Sequence, residues 1–291
     1  MPRPDLNEEL DDSQLTGTVK LAYHPNDNTL TYASFATGYK AGGTNTDRIL
    51  PSLSPLFDAE KSRSAEIGVK HDFEEYGVRV NAAAHYTQIS DFQATTFTGT
   101  GFNLQNAGDI IVKGIELEAT WLMTESTELH AVASRTLANF DEFKRGTCWV
   151  AYPWHTGIDD PGRVEPTDPF CSRDGDRVGF EPQNSLSLML NHYFEVGNYP
   201  ASASIDYQYT GDVFLDDAND PYKYADDFSL FNVRVSFTIP QWDSEIIAWS
   251  RNVFDEEYVA RSGFDVPVQT GKIMAYPGAP RSFGVTFRKS F

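Results

Sequence analysis

The feature that most restricts this chain is a two-residue alternation of apolar and polar side chains, renewed in segment after segment. Ala65, Ile67, Val69, His71 and Phe73 fall on one side of an extended backbone, and Glu66, Gly68, Lys70 and Asp72 fall on the other, because successive side chains of a strand point to opposite faces. Val78, Val80, Ala82, Ala84 and Tyr86 alternate in the same way with Arg79, Asn81, Ala83, His85 and Thr87. The period returns over 115–121, 186–190, 201–209 and 231–239. Few segments carry a helical period. A soluble β-sandwich alternates too, so the period alone does not decide between a sandwich and a membrane barrel.

Segment length and spacing do. Many segments run for ten residues or more, past the roughly 5–6 of a typical soluble strand and close to the about 9–11 that a tilted strand needs to cross a bilayer. Short turns at 25–28, 74–77, 123–126, 197–200 and near Pro240 alternate with long connections at 39–61, 92–106, 141–181, 217–226 and 255–279. Tight periplasmic turns and longer extracellular loops give an up-and-down membrane barrel that rhythm. Tyr23, Phe73, Tyr86, Trp121, Phe194, Tyr209 and Trp242 gather at strand ends, where the aromatic girdles of a barrel lie.

The expected strands are 15–24, 29–39, 62–73, 77–91, 107–123, 126–140, 183–195, 200–215, 227–239, 243–254 and 280–291. The fold class is therefore all-β: an antiparallel up-and-down transmembrane β-barrel with about eleven strands, an open half of a roughly 22-stranded barrel. Single-chain bacterial barrels usually have an even number, so an odd count reads as truncation. Residues 1–14 are expected to be the remnant of an extracellular loop and 15–291 the C-terminal part of the barrel.

Composition fits this reading. A net charge of −19 without a Lys/Arg cluster argues against nucleic acid, since displacing counterions from phosphates needs grouped cations. No stretch approaches the roughly 20 apolar residues of a membrane helix. A mean hydropathy of −0.42 is compatible with a barrel, whose strands hide only every second residue from water. The opening MPRPDLNEEL has neither the basic start nor the apolar run of a secretory signal, so for an exported protein it is not expected to be the true beginning.

Catalysis is not expected. His24, His71, His85, His130, His155 and His192 are scattered, with no HExxH pair and no Gly-x-Ser-x-Gly elbow. No cofactor or bound metal is expected. The acidic run from Asp216 to Asp220 lacks the central Gly and downstream Glu of a calcium loop and reads as solvated. Glu66, Lys70, Asp72, Arg79, Glu116, Glu118, Asp206, Arg234 and Arg288 are expected to line the lumen. The best substrate-contact candidates are Trp149, Tyr152, Trp154, His155 and Phe170, in the longest connection, because aromatic rings offer rigid area to a large ligand. Cys148 and Cys171 share that segment, and in an exported protein a loop-closing disulfide is expected over two free thiols.

Several motifs point to one family. RNVFDEEYVARSG, from Arg251 to Gly263, followed by YPGAPRSFGVTF, resembles the penultimate-strand ending and final loop of TonB-dependent outer-membrane receptors. Asn252, Phe254, Asp255 and Tyr258 match the family's Asn-Leu-Phe-Asp-x-x-Tyr pattern, with Val253 in place of Leu. YASFATGYKAGGTN from Tyr32, AEKSRSAEIGVKHDF from Ala59 and NAGDIIVKGIELEATW from Asn106 resemble three further receptor segments in the family's order. Phe283, Val285, Phe287 and Phe291 share one side of the last segment and the chain ends on an aromatic, resembling the signal read by the barrel assembly machinery; Lys289 departs from the usual apolar pattern. Gly38, Gly42 and Gly43 are expected to supply backbone conformations closed to other residues, Gly114 to give room at a narrow point, and Asp255 to cap a turn.

The resemblance implies an outer-membrane receptor for a scarce nutrient such as a ferric siderophore or other metal chelate, powered through TonB by way of a plug domain that these residues do not contain. Its partners would be membrane lipid, the N-terminal plug and strands, TonB and the assembly machinery. The other readings are a passive porin-like channel and a soluble β-sandwich binding module.

Overall fold

The computed structural model describes residues 8–46, 54–97, 102–149, 159–165, 170–265 and 272–290. Its main body is one sheet of eleven strands, each hydrogen-bonded to the next in chain order. They are β1 (Gly17–Asn26), β2 (Thr29–Lys40), β3 (Glu60–Phe73), β4 (Val78–Ser90), β5 (Asp109–Thr124), β6 (Thr127–Glu142), β7 (Asn184–Val196), β8 (Tyr199–Thr210), β9 (Phe228–Ile239), β10 (Ser244–Arg251) and β11 (Ser282–Lys289). Every pairing is antiparallel. Among the described residues no second large sheet and no α-helix packs on it, so the sandwich reading is not met.

The register sorts the side chains as the alternation requires. Val19, Phe35, Ala65 and Tyr86 lie in one row across β1 to β4. On later strands Leu190, Ile205 and Val233 form another, and Ile246 faces Phe287. These side chains have no protein layer over them: Leu21 is 72% exposed, Ile67 64% and Val285 72%. Leaving such rings and branched chains bare is unfavourable in water and favourable in hydrocarbon.

The opposite face is polar. Asp72, Arg79, Thr120, His130, Met189, Asp206 and Asn232 form one continuous row. Glu66, Lys70, Glu116, Glu118, Arg234 and Arg288 share this face, as expected. Arg79 is bidentate to Asp72, with the longer contact 2.9 Å, Arg288 reaches Glu245 at 2.9 Å, and Asn81 donates to Glu118 at 2.9 Å.

The strand ends have local causes. The 3-10 turn Glu74–Tyr76 reverses the chain through Gly77, whose φ of 61° suits glycine. At Pro240–Trp242 the ring fixes the first φ, and Asp243 takes the left-handed position instead. The expected strand 243–254 stops at Arg251 because Asn252 has φ 47°, and the expected strand 200–215 ends at Thr210, with Val213–Phe214 forming a separate short strand. Gly38, Gly42 and Gly43 are not in the left-handed region, which corrects the expectation from sequence. Their role is clearance: an added Cβ would meet the Ser62 hydroxyl at Gly38, the Phe57 carbonyl at Gly42 and the Phe57 ring at Gly43. Gly114 gives room as expected, with the Arg135 carbonyl and the His85 ring against it.

On β11, Phe283, Val285 and Phe287 lie on the apolar face; Phe291 lies outside the described residues. Two substitutions on β8 separate the faces. Ile205→Arg puts a charge on the lipid side and is expected to cost about 2–4 kcal/mol, whereas Gln208→Arg on the polar side is expected to be near neutral. Heat-modifiable mobility of the membrane-inserted protein on cold gels reads the folded fraction; equal losses from the two would contradict this assignment of faces.

Candidate functional site

At the ends of the strands away from the tight turns, the long connections form a layer of their own. Asn45 bridges to the neighbouring loop through both amide atoms, its Nδ2 donating to the Leu104 carbonyl at 2.7 Å and its Oδ1 accepting from the Leu104 N–H at 2.8 Å. Gln93 donates from Nε2 to the carbonyls of Ala41 and Asp58 at 2.8 and 3.0 Å. Gln105 reaches the Arg145 carbonyl at 3.3 Å. Beneath them Ala94, Ala107, Ile110, Phe140 and Phe143 make a small dry core. Segments expected to be plain loops contain two-stranded hairpins, Gln93–Phe97 with Phe102–Asn106 and Val259–Asp265 with Ile273–Pro277.

The longest connection is organised by Arg173, whose side chain is 1% exposed. Its guanidinium is ion-paired with the equally buried Asp160 and, at 3.2 Å, with Asp176. It also donates to the carbonyls of Thr147 at 3.1 Å and Ala218 at 2.8 Å. Asp160 accepts from the Trp149 and Gly162 N–H groups, both at 2.8 Å. A buried charge is tolerable when paired and hydrogen-bonded in this way. Cys148 and Cys171 form the expected disulfide, closing a separation of 23 residues beside the Gly146–Cys171 strand pair; the chain-entropy model assigns such a loop about 3 kcal/mol. Asp160 lies within metal-ligand reach of both sulfurs, but those sulfurs are bonded to each other and Asp160 is held by Arg173, so the trio does not offer a metal its ligands.

The acidic run is not a solvated loop. Asp220 is fully buried, Asp216 pairs with Lys223 at 2.7 Å, and Asp217 accepts the Gly179 N–H at 2.9 Å. Arg177 reaches across to the Asp212 carboxylate at 2.6 Å, and Asn219 binds the Arg177 main chain on both sides. The run is a strut between two loops, a role invisible in its spacing because its partners Arg177 and Gly179 lie 42 and 38 residues away from Asn219 and Asp217. The Arg177 hydrogen bond holds the Asp212 carboxyl below the usual range. Burial pushes the Asp217 and Asp176 carboxyls up.

Of the five substrate-contact candidates, Tyr152, Trp154 and His155 lie outside the described residues. Trp149 is half-buried, and its indole N–H donates to the Ala218 carbonyl at 2.8 Å. Phe170 is half-buried under Arg145, whose guanidinium carbon is 4.4 Å from the ring centroid. Both therefore help to hold the loop layer together. At the final loop Asn252, the first residue of the motif match, is the hub. It is 5% exposed, and its amide binds the main chain of Glu256 twice and the Ala279 carbonyl once. Asp255 accepts the Arg281 N–H at 2.8 Å, tying the two ends of that loop together.

Arg173→Leu strands the buried Asp160 carboxylate and is expected to destabilise the loop layer by about 3–5 kcal/mol, read as faster hydrogen exchange over 143–180 with the strands unchanged; unchanged exchange would remove Arg173 as the organiser. The pH dependence has two signs. A raised folded-state pKa means stability is gained as pH falls, so easing the charge on Asp217 and Asp176 is expected to tighten the loops under mild acid. Asp212, held low by Arg177, contributes above the ordinary carboxylate range and loses that contribution only as pH falls through its depressed value. Asp217→Asn keeps an acceptor for Gly179 and is expected to weaken the mild-acid gain in protection; a gain as large as in the parent would contradict the assignment.

Comparison with known proteins gives the family. The family model described as TonB dependent receptor-like, beta-barrel, matches residues 4–253. The pesticin receptor of Yersinia enterocolitica is 34% identical over 113 residues, covering 38% of this chain and 16% of that protein. In fold, the ferric yersiniabactin uptake receptor of Yersinia pestis superposes with a TM-score of 0.73 at 21% identity, over 96% of this chain and 38% of the other. A siderophore receptor of Acinetobacter baumannii gives 0.67 at 17% identity, over 94% and 35%. The chain thus spans well under half the length of these relatives. The family consists of receptors of the outer membrane rather than enzymes. This chain belongs to the TonB-dependent receptor β-barrel family.

Proposed function

We propose that the protein is a TonB-dependent outer-membrane receptor that takes up a scarce nutrient, a ferric siderophore or other metal chelate, and that these residues supply barrel wall and part of the extracellular binding surface. The observation that carries the reading is the loop layer, cross-tied by Arg173, Arg177 and the Cys148–Cys171 bridge, standing over a polar sheet face. A preformed layer presents a ligand with little ordering cost. The names of the relatives, a ferric yersiniabactin receptor and a siderophore receptor, agree with a metal-chelate cargo.

In this reading residues 15–291 are the C-terminal part of the barrel, and 1–14 belong to an extracellular loop. Strands β1 and β11 are each paired on one side only among the described residues, and both run toward the tight-turn end. Antiparallel closure then takes an odd number of further strands, which an upstream half would provide together with the plug that TonB engages. Phe283, Val285 and Phe287 on the apolar face of β11, with Phe291 of the same sequence pattern, would be the part read by the assembly machinery, and the apolar face would meet membrane lipid.

The test is uptake of radio-iron siderophores by cells whose only receptor is the complete protein. Uptake of at least one chelate, abolished by a protonophore or by loss of TonB, is expected. Trp149→Ala combined with Phe170→Ala removes two ties of the loop layer and is expected to weaken apparent affinity while the heat-modifiable mobility of the strands stays unchanged. Energy-independent liposome swelling by small solutes, with no chelate taken up, would favour the porin reading instead.

A further inference from the structure

Among the described residues six other than glycine hold a left-handed backbone, and five of these are Asp or Asn. A short polar side chain tolerates that region because it can bond to nearby main chain, as Asn252 does when its amide oxygen accepts the Glu256 N–H at 2.8 Å. The sixth is Phe180, at φ 66°. A bulky side chain is strained there, and a benzyl group has no hydrogen bond with which to offset the strain. Burial does not offset it either, since Phe180 is 52% exposed.

The strain is held in place by an unusually complete clamp. Four consecutive N–H groups are engaged: Arg177 with the Asn219 amide oxygen at 3.0 Å, Val178 with the Ala138 carbonyl at 2.9 Å, Gly179 with the Asp217 carboxylate at 2.9 Å and Phe180 with the Phe214 carbonyl at 2.8 Å. The Arg177–Asp212 ion pair closes the same seam. Gly179 is pressed so closely on its neighbour that an added Cβ would meet the Asp216 carbonyl. Rings elsewhere in this layer are covered. Phe214 lies under Arg177 and against Tyr224, and Phe140 packs on Phe143. Among the described residues no ring or guanidinium stacks on Phe180.

Membrane lipid does not account for the exposed ring. The 13 residues of β7, at roughly 3.3 Å each and a tilt near 45°, rise about 30 Å, past the about 25 Å height of a barrel's apolar band. Phe180 precedes the first of them, Asn184, by four positions on the extracellular side, so it stands above the hydrocarbon, in the water-facing loop layer.

We infer that Phe180 is a specificity-determining residue for the cargo, a fixed platform on which a planar aryl group of the metal chelate stacks. A backbone strained without local compensation persists where the surroundings impose it, and such positions concentrate at ligand contacts. An immobilised ring with only two side-chain torsions loses little freedom on binding, and a bare π face favours another ring over an aliphatic group of equal charge. The assignment rests on the uptake reading and adds the chemical class of the group that is recognised.

The test uses the complete protein purified in detergent and two neutral iron chelates that differ in one substituent, ferric tris(benzohydroxamate) and ferric tris(acetohydroxamate), with binding read from quenching of tryptophan fluorescence. The parent is expected to bind the phenyl-bearing chelate about ten-fold more tightly than the methyl-bearing one. Phe180→Asn, which installs a residue type that the chain uses at its other left-handed positions, is expected to bring the two affinities within about two-fold. Phe180→Tyr is expected to keep the preference. Hydrogen exchange over 174–181 separates a platform from a packing residue: relief of strain in Phe180→Asn is expected to slow exchange about three-fold, whereas removal of a packing ring would speed it. Equal affinities or no binding of either chelate by the parent, a preference that survives in Phe180→Asn, or faster exchange in that variant would each overturn the assignment. The two readings fail separately, because cells that take up no chelate refute uptake, while uptake with a phenyl preference untouched by Phe180→Asn refutes the platform alone.

Discussion

The rest of this structure depends on the obligation of each main-chain N–H and C=O to find a partner where no water is present. In hydrocarbon an unpaired group costs several kcal/mol, and the eleven strands meet the obligation laterally, each with its sequence neighbour. That arrangement frees the side chains to divide by parity, Leu190, Ile205 and Val233 to one face and Met189, Asp206 and Asn232 to the other. It also fixes the demand at the margins. The outer sides of β1 and β11 have no neighbour among the described residues, so among them the sheet is open at both margins.

The loop layer solves a different problem. It stands in water, where main-chain groups can be solvated and nothing forces a regular ladder, so its order has to come from side chains. Arg173, Asp160 and Trp149 converge on the Ala218 carbonyl or on one another, and Arg177 with Asn219 joins the same two segments again. Phe140 and Phe143, with ring centroids 4.9 Å apart, pack at the base of this layer. The disulfide between Cys148 and Cys171 adds a covalent tie to this layer.

The sheet was largely legible in the sequence because it obeys a local rule. Parity is visible in any run such as 201–209, and turn chemistry at Glu74–Tyr76 or Pro240–Trp242 is equally local. Strand ends were less legible: at Asn252 the break depends on a left-handed backbone stabilised by its own amide reaching Glu256 and Ala279. The loop layer was hardly legible. Arg173 is one arginine among many until Asp160 and Ala218 are brought to it, and Asp216 to Asp220 looked solvated because its partners Gly179, Arg177 and Lys223 come from folding rather than spacing.

The division of faces is tested most directly by a nitroxide scan along β8 in the complete protein reconstituted in bilayers, one label at a time from Ala203 to Gln208. Collisional relaxation by oxygen, which concentrates in hydrocarbon, should peak at Ala203, Ile205 and Tyr207, with a water-soluble nickel complex preferring Ser204, Asp206 and Gln208. Accessibility that fails to alternate, or alternates with the opposite phase, would mean that these strands do not form a membrane wall in the way described.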